Sequence, residues 1–99
     1  DTKSHQPVLG NITGGLSGEG LRPISLNLVY QVSNALDVPI IGVGGIFSGE
    51  HAAEYVLAGA SAVQIGSANL IGLSAPWRIL AELEDWMRQA GISGLKELV

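Results

Sequence analysis

Apolar residues recur along this chain at two spacings. Ile24, Leu28, Val32 and Leu36 stand four apart, which predicts a helix directly after Gly20 with Pro23 in its first turn. Ala52, Ala53, Val56 and Leu57 form the apolar face of a shorter helix. Its start is Ser48, a good N-cap; Glu50 lies in the first turn, where the helix dipole favours an anion; and Gly59 stops it. Ile79, Leu83, Trp86, Met87 and Ala90 follow the same period in a third helix, opened by Ser74 and Pro76 and ended by Gly91. Trp77 and Trp86 are expected in the core, and Glu84 to Arg88 is spaced as an i,i+4 ion pair.

Between the helices lie two unbroken apolar runs, VPIIGVGG and SAVQIGS, each closing on glycine. They predict strands at about 38–43 and 61–66, and the short helix between them makes a right-handed parallel crossover. Apolar parallel strands need cover on both faces. Two strands cannot supply it, so the chain is expected to belong to a larger α/β fold or to complete its sheet by association.

Residues 1–20 are a loop, with an extended patch at Pro7 to Leu9 and a glycine-rich run from Gly14 to Gly20. A last helical turn is expected from Ser93 to Leu98. Asn27, Gln31 and Asn34 fall off the first helix's stripe and are expected in solvent.

Composition narrows the class. An apolar fraction of 46% with 14% charge describes a globular chain, and the net charge of −4 with no run of Lys or Arg argues against a nucleic-acid partner. The apolar runs are too short for a bilayer span, so no membrane association is expected. Absence of cysteine removes thiolate chemistry and mildly favours the cytosol.

The candidate chemistry lies at one edge. Gly18, Gly44 with Gly45, and Gly66 with Ser67 each sit where a loop or strand gives way to a helix. Backbone amides there lack intrahelical acceptors, and such loops converge on a phosphate in barrel folds. A Cβ at these glycines is expected to hold a phosphate away from the backbone. Ser67 adds a hydroxyl or caps the next turn. No Rossmann glycine fingerprint and no Walker lysine is present, His5 and His51 have no partners at metal-ligand spacing, and no carboxylate pair is placed for acid–base work. His51 reads as a boundary histidine. The residues alone give a phosphate-binding edge, no catalytic group and no metal site.

NITGGLSGEGLRP, VPIIGVGGI and AGASAVQIGSAN, in that order and spacing, resemble the C-terminal part of dihydroorotate dehydrogenase, from about Gln6 into the final helices. PVLGN before the glycines and GSAN after the last strand resemble most the soluble class 1B catalytic subunits. The resemblance implies an α/β fold, the C-terminal part of an incomplete TIM (β/α)8 barrel. Residues 1–99 are then one portion of an FMN-binding domain, with 1–20 the glycine-rich loop and 21–99 helix, strand, helix, strand and helix.

It further implies oxidation of dihydroorotate to orotate in pyrimidine synthesis, in the cytoplasm. FMN contacts map onto Gly18, Gly44, Gly45, Gly66 and Ser67. The implied partners are dihydroorotate and orotate, a homodimer mate, and an electron-transfer subunit carrying FAD and a 2Fe-2S cluster that passes electrons to NAD. The family's cysteine base, flavin-contacting lysine and orotate-gripping asparagines map upstream of Asp1, and Lys3 is not that lysine. Two alternatives remain open: another FMN or phosphate-ligand barrel enzyme, and a self-associating phosphate-binding module without catalysis.

Overall fold

A computed structural model describes residues 1–10 and 15–92, and its elements follow the predicted order. A single 3₁₀ turn, Glu19–Leu21, leads into helix α1 (Arg22–Ala35); strand β1 (Ile41–Val43), helix α2 (Gly49–Ala58) and strand β2 (Ala62–Gln64) follow; a second 3₁₀ turn, Ser67–Leu70, precedes helix α3 (Ala75–Gln89). β1 and β2 pair in parallel, with Ile41 opposite Ala62 and Val43 opposite Gln64. The ladder is shorter than the apolar runs: both strands begin later, and β1 stops where the chain bends at Gly44 and Gly45. Val8 and Leu9 lie in bends rather than in an extended patch, and the turn expected at Ser93 to Leu98 lies outside the described residues.

Local signals set α2 as expected. Ser48 Oγ accepts from the His51 amide at 3.2 Å, and Gly59 ends the helix at φ 126°, a value other residues rarely adopt. Gly91, at φ 74°, ends α3 while its amide and that of Ile92 reach back to Arg88 and Met87.

The core lies between the covered face of the sheet and helices α2 and α3. Ala52, Ala53, Tyr55, Val56, Ile79 and Leu83 are all buried there. Small residues bring backbones close. A Cβ on Gly49 would overlap the Glu82–Leu83 backbone of α3, and one on Gly42 would lie 2.5 Å from Tyr55 Cδ1. Tyr55, fully buried, therefore replaces Leu57, 57% exposed, on the packed face of α2.

Three further expectations are corrected. The α1 stripe of Ile24, Leu28, Val32 and Leu36 is exposed, and the helix packs inward through Leu26 and Val29. The four-residue repeat identified an apolar face but not its neighbour. Trp77 is 75% exposed, while Trp86 packs partly against the core. Arg88 pairs with Asp85 at 3.0 Å rather than with Glu84, and Arg78 forks onto both Glu82 oxygens at 3.0 Å. Ile41 and Val43 also stay open to solvent, so the described residues cover only one face of the sheet.

Candidate functional site

The polypeptide brings Gly18, Gly44, Gly45, Gly66 and Ser67 to one cavity of about 260 Å³, with Leu16, Ser17, Leu21 and Val43 completing its wall. Three separate segments meet there. Gly18 turns the chain at φ 92°, and its carbonyl accepts from the Leu21 amide at 3.1 Å, closing the turn that starts α1. Gly44 and Gly45 follow β1 with φ 128° and 67°. Consecutive positive φ values are open to glycine and strained for other residues. Gly66 and Ser67 follow β2, and Gly66, not Ser67, occupies the cap position of the next turn. No side-chain hydrogen bond caps that turn, so the Ser67 hydroxyl is not used as a cap.

The glycines serve different ends. A Cβ on Gly45 would meet Arg22 Cβ at 2.7 Å and Gly18 O at 3.0 Å; one on Gly44 would meet Leu21 Cδ2 at 3.0 Å. Both therefore answer to close packing of the loop on α1, a role for these glycines beside the one expected toward a phosphate. A Cβ on Gly66 or Gly18 meets nothing within 4 Å. Packing does not explain glycine at 66, and at 18 only the backbone angle does.

Three side chains hold the carbonyls of the β1 loop. Ser25 Oγ donates to Val43 O at 2.6 Å, Tyr55 Oη to Gly44 O at 2.6 Å, and Arg22 Nη1 to Gly45 O at 3.0 Å. Among the described residues, the amides of Gly44, Gly45, Gly66 and Ser67 donate to no protein acceptor. Among the described residues, the cavity wall carries no acidic or basic side chain. Unused amide donors without a carboxylate beside them form a concavity suited to an anion, held by peptide dipoles instead of a side-chain cation.

Sequence reasoning missed Arg22, Ser25 and Tyr55. Each acts on a carbonyl from another element, and nothing in local spacing reports that. One signal was present: a glycine inside a strand, here Gly42, marks the close approach of another group, which is the Tyr55 ring. Among the described residues no cluster of His, Cys, Asp and Glu is arranged for a metal ion.

Comparison with known proteins agrees with this architecture. The sequence model of the family described as dihydroorotate dehydrogenase matches residues 1–87. A relative from Geobacter metallireducens, "Dihydroorotate dehydrogenase B (NAD(+)), catalytic subunit", is 50% identical over 99 residues, all of this chain and 32% of its own length. One of the same name from Geotalea daltonii is 52% identical with the same coverage. The crystal structure of the Eimeria tenella enzyme in complex with ferulenol superimposes with a TM-score of 0.79 at 33% identity, covering 99% of this chain and 25% of that one. The chain spans about a third of the length of the curated relatives it matches.

Proposed function

This chain belongs to the dihydroorotate dehydrogenase family, and from that premise we propose that it supplies the FMN phosphate site of a (β/α)8 barrel that oxidises dihydroorotate to orotate. The observation that carries the reading is the cavity itself. Five positions from three loops surround one space, and the strand-end amides beside it have no acceptor among the described residues. Membership of the family implies a flavin; the cluster of free strand-end amides, suited to a phosphate, supports FMN in particular.

In this reading the amides of Gly18, Gly44, Gly45 and Gly66 and the Ser67 hydroxyl donate to phosphate oxygens. Leu16, Leu21 and Val43 keep water from the rim. When bound, FMN supplies the ring that accepts a hydride from the substrate. The residues of this chain fix the far end of that cofactor and so orient it. Among the described residues, the cavity wall carries no side chain with the charge of an acid or base, and in this reading the base and the groups that grip dihydroorotate belong to other residues of the complete enzyme.

The relatives' printed name, a catalytic subunit of an NAD-dependent enzyme, supports a second subunit that carries electrons onward; FAD and a 2Fe-2S cluster on that subunit are part of the proposal. A homodimer of catalytic subunits and a cytoplasmic setting complete the proposal. No described helix is long and apolar enough to cross a membrane.

The test is made on the complete enzyme that contains these residues. Addition of dihydroorotate under anaerobic conditions is expected to bleach its flavin absorbance, and denaturation to release FMN. Release of another cofactor, or a flavin that dihydroorotate leaves oxidised, would overturn the reading.

A further inference from the structure

We propose that Tyr55 and Ser25 are positioning residues for the phosphate: each fixes one peptide of the β1 loop so that its amide, and not its carbonyl, faces the anion. This inference rests on the phosphate reading of the cavity.

The two bonds are short and act on adjacent peptides. Tyr55 Oη donates to Gly44 O at 2.6 Å, and Ser25 Oγ to Val43 O at 2.6 Å. A trans peptide sets its N–H opposite its C=O. Gripping Gly44 O from the helix side therefore turns the Gly45 amide to the other side of the loop, and gripping Val43 O does the same for the Gly44 amide. Both residues line the cavity, and neither amide donates to an acceptor among the described residues.

Such anchoring is needed because the loop is glycine. At φ 128° and 67°, Gly44 and Gly45 lie in a region where glycine moves freely, so peptide rotation between them meets little steric resistance. A rotated peptide presents a carbonyl oxygen to the phosphate, and attraction becomes repulsion. Two residues on two different helices oppose that rotation.

Tyr55 is built to do so. Its side chain is fully buried, and its ring lies against Gly42, where any Cβ would come within 2.5 Å of Cδ1. The ring is held by packing, and the hydroxyl is delivered to one place. The hydroxyl also lies 3.3 Å from Val43 O, so it spans both peptides. Removing it with Tyr55→Phe leaves the packed ring intact and frees the Gly44–Gly45 peptide, while Ser25 and Arg22 still hold the carbonyls on either side.

The experiment uses the complete enzyme stripped of flavin, titrated with FMN and with riboflavin, which lacks the phosphate, by quenching of flavin fluorescence. Wild type is expected to bind FMN much more tightly than riboflavin. Tyr55→Phe is expected to weaken FMN binding about tenfold and leave riboflavin binding within twofold; Ser25→Ala shifts FMN in the same direction with thermal unfolding of the stripped protein unchanged. Unchanged FMN affinity in both variants, or FMN and riboflavin affinities that fall together, overturns the positioning role while leaving the phosphate site standing. Equal binding of FMN and riboflavin by wild type overturns the phosphate reading, and this inference with it.

Discussion

Arg22 and His51 meet behind the Gly44–Gly45 loop, with Arg22 Nη1 3.1 Å from His51 Nδ1. The same guanidinium nitrogen donates to Gly45 O at 3.0 Å, and Nε lies 3.3 Å from Glu54 Oε2. The Phe47 amide also donates to His51 Nδ1 at 3.1 Å. A nitrogen that accepts twice carries no proton, so the imidazole is the Nε2–H tautomer and serves as an acceptor. One arginine thus joins the start of α1, the β1 loop and α2, and its charge is spent on structure rather than aimed into the cavity.

Replacement of Arg22 by methionine keeps the stem and removes every donor. Gly45 O loses its partner in a half-buried place, and the expected loss of stability is about 1–3 kcal/mol. Arg22→Lys is expected to recover only part of it, because an ammonium cannot fork between Gly45 O, His51 and Glu54. Urea unfolding of the complete enzyme measures both. A methionine variant within about 0.5 kcal/mol of wild type, the range of an ordinary surface change, would remove Arg22 from this role.

Gly45→Ala and Gly66→Ala are expected to fail differently. At Gly45 the new Cβ meets Arg22 at 2.7 Å on a backbone at φ 67°, so folding suffers first, by about 1–3 kcal/mol. At Gly66, φ is −117° and the Cβ meets nothing within 4 Å. That variant is expected to keep the thermal midpoint of the flavin-free protein and to bind FMN at least tenfold more weakly. Thermal melts with and without FMN separate the two, and equal melting losses without FMN would contradict the assignment.

How much of this was legible depends on how local each signal is. Ser48, Glu50 and Gly59 lie within or beside the helix they delimit, and α2 follows the sequence at both ends. The glycines at the strand ends were equally readable, since both φ values and loop approach are backbone properties. What was not readable depends on a neighbour distant in sequence. Ile24, Leu28 and Leu36 are apolar at helical spacing yet more than half exposed, because periodicity does not say what covers a face. Tyr55 and Leu57 both sit near the apolar edge of α2, and only the absence of a side chain at Gly42 decides which of them fits.

Close contact of α2 with α3 gives a prediction remote from the cavity. A Cβ on Gly49 overlaps backbone at Leu83 and Glu82, and the Gly49 amide donates to Glu82 Oε1 at 3.2 Å. Backbone cannot move aside as a flexible side chain can. Gly49→Ala is therefore expected to cost about 3 kcal/mol or more, above either cavity glycine, as the helices are forced apart. Denaturant unfolding of the complete enzyme gives the value, and a loss below about 1 kcal/mol would mean that the helices pack less closely than described.

The 99 residues expressed by themselves are expected to self-associate. Their radius of gyration is 16.2 Å, against about 13 Å for a compact domain of this length. The reason is visible in what stays uncovered: Ile41 and Val43 on the open sheet face, Ile24, Leu28 and Leu36 on α1, and Leu70, Ile71, Leu73 and Trp77 before and within α3, from 47% to 92% exposed. Apolar surface on three sides favours association by roughly 25 cal/mol for each Å² removed from water, and no single docking event covers all three. Open-ended aggregation is the expected outcome, with strong binding of a hydrophobic dye and a Trp77 signal open to quenchers in any monomer that remains. Gel filtration and dye fluorescence report it directly. A monodisperse monomer without dye binding would show that the chain rearranges to bury these faces itself, and the open-sheet arrangement of β1 and β2 would then be wrong.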